Sequence, residues 1–85
     1  MIGFKEANEL LLKQHKDCMV TSTMDAGDKY IIALVPNSFS KDQFVLDGLF
    51  SVNKKTGEIK EYSPVMDPKE YKTAMKHEVY TNKRS

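Results

Sequence analysis

The chain has 85 residues, which is enough for one domain (1–85) but close to the lower limit at which a single core suffices. Its hydrophobic fraction of 40% and charged fraction of 29% describe a globular chain and exclude a disordered one. Thirteen Lys and Arg against twelve Asp and Glu leave a net charge of +1, which argues against bulk electrostatic capture of nucleic acid or of an anionic membrane.

Residues Gly3 to about Lys16 read as a helix. Phe4, Ala7, Leu10 and Leu11 recur at helical spacing, with Lys5, Glu9, Lys13 and Lys16 on the other side. Cys18 to Met24 follows as a strand favoured by the β-branched Val20, Thr21 and Thr23. Asp25-Ala26-Gly27-Asp28 is a turn in which Gly27 can take a positive φ. Lys29 to Val35 is apolar at nearly every position, as expected of a strand that is central in the sheet or covered on both faces, and Pro36 ends it.

Asn37 to Gln43 is a polar loop with one apolar residue, Phe39. Phe44 to Asn53 reads as extended, interrupted at Asp47-Gly48, with Phe50 and Val52 on a buried face. Lys54-Lys55-Thr56-Gly57 is a hairpin turn, and Glu58 to Tyr62 returns as an edge strand whose charges discourage edge-to-edge pairing. Asp67 as N-cap, Pro68 at the first helical position and Glu70 three residues after the cap announce a second helix with a capping box. Met66 and Tyr71 occupy the hydrophobic-staple positions, and Tyr71, Ala74 and Met75 form the apolar face. Residues 78–85 are expected as a loosely ordered tail, or as a short extended contact through Val79 and Tyr80. The predicted class is α+β: an N-terminal helix, an antiparallel meander of about four strands, and a short C-terminal helix packed with the first helix on the sheet, one face of which is covered.

Chemistry-bearing residues are sparse. The single Cys18 permits no internal disulfide, has no zinc spacing, and reads as a small buried hydrophobe. His15 and His77 are far apart in the chain, and His15 suits the negative end of the first helix. Asp25, Asp28, Asp42, Asp47 and Asp67 each lie near a turn or cap, where their oxygens accept backbone amides, and the Asp25–Asp28 spacing is not that of a calcium loop. The hairpin lysines lack the spaced glycines and following helix of a phosphate loop. No catalytic set, metal site or cofactor is therefore expected. Tyr30, Phe50 and Tyr62 on strands could stack bases, but aromatic residues dominate small cores and the core reading is favoured.

The run Phe50 to Ile59, followed by Tyr62-Ser63-Pro64 and Asp67-Pro68, resembles small uncharacterised proteins encoded by phages and prophages of Gram-positive bacteria. Its hairpin is also similar to that of PepSY-type domains, which are usually exported. The phage resemblance implies a viral or mobile-element setting, with a virion accessory or assembly role or inhibition of a host system, and it transfers no catalytic residue.

The expected function is a noncatalytic protein-binding module, in the cytoplasm or in the virion. Its partner would be a host or phage protein, or a second copy in a homodimer. Phe39 is the candidate contact, along with an exposed sheet edge. The alternative is nucleic-acid binding through Lys54, Lys55, Lys60 and the basic tail at Lys83-Arg84. No apolar run reaches membrane-spanning length, and Met1 to Glu6 does not read as a signal peptide, so no membrane is expected as a partner.

Overall fold

A computed structural model describes residues 1–36 and 48–81. Its elements in chain order are α1 (Phe4–Gln14), β1 (Cys18–Asp25), β2 (Lys29–Pro36), β3 (Gly48–Asn53), β4 (Ile59–Glu61), α2 (Pro68–Met75) and β5 (Glu78–Thr81). The strands form one antiparallel sheet in the order β4-β3-β2-β1-β5. The α+β class and the meander β1–β4 are as expected. The apolar β2 is central, as its composition requires. Residues 78–81, expected as tail or contact, pair as β5 with Ser22 to Met24 of β1. Phe44 to Asp47 lie outside the described residues, so the extended segment begins here at Gly48.

Both helices pack on the sheet, but they take opposite faces. Alternate residues of a strand point to opposite sides. Tyr30, Ile32 and Leu34 of β2 join Val20 and Val52 beneath Ala7 and Leu11 of α1. Ile31 points the other way and packs with Met24 against Ala74 of α2, with Tyr62, Tyr71 and Leu49 around them. The single covered face expected of the sheet is thereby corrected to two, which is the alternative that the apolar run of β2 left open. The near-continuous apolar run of β2 supplies the reason, since it has a side chain to bury on each side. Leu11, Ile31, Ile32, Leu34 and Val52 are each at 0% exposure, and burial of this kind stabilises by about 1.5–3 kcal/mol per side chain.

A bulge reconciles β1 with this arrangement. Val20 pairs with Leu34 and Ser22 with Ala33, which leaves Thr21 as the extra residue, its Oγ1 donating to the Ala33 carbonyl at 3.2 Å. Val20 and Thr23, three apart, therefore share the α1 face. Among the described residues no helix is long and apolar enough to cross a membrane.

Candidate binding surfaces

The β3–β4 hairpin is built as its sequence suggests. Asn53 Oδ1 accepts from the amides of Lys55 and Thr56 at 2.8 and 3.0 Å, the Gly57 amide returns to the Asn53 carbonyl at 2.8 Å, and Gly57 has φ +75°. The lysines do not behave alike. Lys54 is taken into the protein at 9% exposure, which removes it from the contact lysines that the nucleic-acid reading requires. Its Nζ donates to Asp25 Oδ1 at 2.7 Å and lies 4.8 Å from the centre of the Tyr30 ring. Lys55 is exposed, and Lys60 is exposed with its Nζ 3.0 Å from Glu58. The hairpin thus does not present Lys54, Lys55 and Lys60 together as free cations. Phe39 and the tail residues Lys83 and Arg84 lie outside the described residues.

Asp25 gathers several segments at one end of the sheet. Its Oδ1 also accepts the Gly27 amide at 2.8 Å, and its own amide donates to the His77 carbonyl at 2.9 Å. The Lys54 backbone accepts from Ile2 and donates to the Asp28 carbonyl. The Lys54 hydrogen bond, and after it the Gly27 amide, hold the Asp25 carboxyl below its ordinary value. This pair went unread in the sequence because 29 residues separate its members.

The remaining chemical candidates take structural places. His15 caps α1 at its C-terminal end, its amide donating to the Leu11 and Leu12 carbonyls, and its ring lies 4.7 Å from that of Phe50. His77 is exposed at the end of α2. Cys18 is half-buried against the α1 core. Among the described residues no group of three or more His, Cys, Asp and Glu could hold a metal ion.

Around α2 a second cluster forms. Asp67 accepts the Glu70 amide at 3.0 Å, the forward half of the expected capping box. The Glu70 carboxylate turns elsewhere, one oxygen accepting the Tyr62 hydroxyl at 3.0 Å and the other lying 3.2 Å from Lys29 Nζ. Burial, and after it the bond to Glu70, push the Tyr62 phenol up to about 12. The staple is corrected: Tyr71 packs on Tyr62, with ring centres 6.2 Å apart, and Met66 is left 85% exposed beside an equally exposed Val65. These two side chains crown a turn closed by the Met66 amide on the Ser63 carbonyl at 3.1 Å. Pro64 lies within the turn and Pro68 two residues after it, each with its φ fixed by the ring. No family model, curated protein or solved structure matches the chain.

Proposed function

We propose that this chain is a noncatalytic protein-binding module that docks through the Ser63–Met66 knuckle. One observation carries the reading: Val65 and Met66, adjacent and 85% exposed, sit on a proline-braced turn although a staple partner, Tyr71, was available within the chain. The proline ring and the Met66–Ser63 hydrogen bond fix the backbone of the turn, so little backbone entropy is lost when a partner covers these apolar side chains, and the knuckle is suited to an apolar socket on another protein. In the setting implied by the resemblance to phage and prophage proteins, such a module would serve as a virion accessory or assembly factor, or would disable a host system.

Photo-crosslinking from position 66 in a host lysate, followed by mass spectrometry, supplies the partner for the test. The double substitution Val65→Ser/Met66→Ser should leave stability within about 0.5 kcal/mol, as for surface sites generally, while weakening affinity for that partner at least tenfold. Unchanged affinity in the double variant would remove the knuckle from the interface.

A further inference from the structure

Between α1 and β1 runs an open groove of about 330 Å³, walled by Phe4, Leu12, Met19, Val20 and Tyr80. Asn8 also lines it, in the helical row that Ala7 and Leu11 give to the core, and it is only 9% exposed. Asparagine is a poor choice for a helix interior, and a carboxamide taken from water costs on the order of 1–3 kcal/mol unless hydrogen-bonded. Thr23 answers half of that need, its Oγ1 donating to Asn8 Oδ1 at 2.6 Å. The amide nitrogen has no acceptor among the described residues. No side-chain nitrogen or oxygen sealed from solvent lacks a partner there, so this nitrogen keeps contact with solvent, and the groove is the opening that Asn8 lines. The rim carries one cation and one anion, Lys5 and Glu9, so the groove is neutral overall.

We propose that this groove binds an extended, uncharged peptide segment of a partner protein. One aliphatic or aromatic side chain of the segment seats against Phe4, Leu12 and Tyr80, and a neighbouring backbone carbonyl accepts from the Asn8 amide. The size fits, lying at the bottom of the range of about 300–1,000 Å³ typical of ligand sites, which leaves room for one or two residues and not for a folded surface. The chemistry fits as well, since a carbonyl beside every side chain is what a peptide offers and a neutral rim gives a charged ligand no advantage. The site shares no residue with the knuckle and stands independently of it.

Nuclear magnetic resonance titration of the full chain tests this, with N-acetyl-leucine N-methylamide as the probe and isoamyl alcohol as a control of similar apolar body whose hydroxyl is a weaker acceptor than an amide carbonyl. Saturable millimolar shifts are expected at the Asn8 side-chain amide and at the backbone amides of Lys5, Leu12 and Val20, with the alcohol binding more weakly. Asn8→Asp keeps an oxygen for Thr23 and removes the donor, so it should weaken the probe about three- to tenfold, the value of one hydrogen bond. Leu12→Gln, which leaves the Asn8–Thr23 bond intact, should weaken it as well, and it decides the matter if the Asn8 variant does not fold. An unmoved Asn8 amide, equal binding of the alcohol, or binding indifferent to both substitutions would overturn the proposal and leave Asn8 as a tether between α1 and β1.

Discussion

Asp25→Asn should cost more stability than Lys54→Met, although both break the same ion pair. The Lys54 side chain is 11% exposed and that of Asp25 35%. The substituted amide at position 25 can still accept from both Gly27 and Lys54 through its one oxygen, but it removes the negative charge that balances an ammonium with little water around it and the Tyr30 ring 4.8 Å away. Exposed pairs are worth under about 1 kcal/mol, and stranding a fully buried charge costs about 3–5 kcal/mol. With a third of the Asp25 side chain in water, the loss for Asp25→Asn should be about 2 kcal/mol. Lys54→Met keeps the apolar stem against Tyr30 and leaves a carboxylate that is partly solvated and still held by Gly27, so about 1 kcal/mol or less is expected.

Urea denaturation followed by circular dichroism measures both losses at neutral pH and again along the acid limb. The native Asp25 carboxyl titrates below its ordinary value, so its stabilisation is complete above about pH 4 and is lost as pH falls through the depressed value. Asp25→Asn should flatten that limb. Equal losses in the two variants, or an acid limb unchanged by Asp25→Asn, would refute the desolvation of Lys54 on which the asymmetry rests.

The α2 cap gives a simpler expectation: Asp67→Ala should lower stability by about 1 kcal/mol in the same denaturation assay, and no change would mean that the bond to the Glu70 amide does not hold the helix. Gly57→Val places a β-branched residue at φ +75° and brings its Cβ to 3.5 Å from Leu10 Cδ1. A loss greater than about 1 kcal/mol is expected, and a neutral result would contradict the turn geometry. The fold favours the neutral Tyr62 phenol, so stability from this group holds below its ordinary value of 10.0 and falls as pH rises toward about 12. Glu70→Gln should bring Tyr62 down toward the ordinary value in an ultraviolet titration, and an unshifted curve would assign the whole effect to burial.

Local chemistry made the elements readable. The cap at Asp67, the glycines of the turns and the apolar run of β2 each act within a few residues, and their positions followed from sequence. What escaped the sequence depends on distant partners. Asn8 interrupts an apolar row for a reason visible only once Thr23 stands opposite it. Lys54 reads as a surface cation until Asp25 arrives from 29 residues away. Met66 satisfies the staple pattern, yet Tyr71 found a larger surface on Tyr62, a competition that spacing alone cannot rank. A signal for the Asn8 pair was present, since a polar residue among Phe4, Ala7 and Leu11 breaks the stripe where burial is deepest.

The sheet divides the apolar interior into two compartments of unequal depth. Beneath α1 lie Leu11, Ile32, Leu34 and Val52, all at 0% exposure, whereas α2 contributes one buried residue, Ala74, among the described residues. Amide protons exchange first where the least surface must be uncovered, so α2 and β5 should lose protection before β1 to β3 do. Val65 and Met66 lie on the connection that leads into α2. A partner gripping them would steady α2, whose one buried residue among those described is Ala74, and slow exchange there and along the β5 that follows it, a stiffening transmitted without any change of shape.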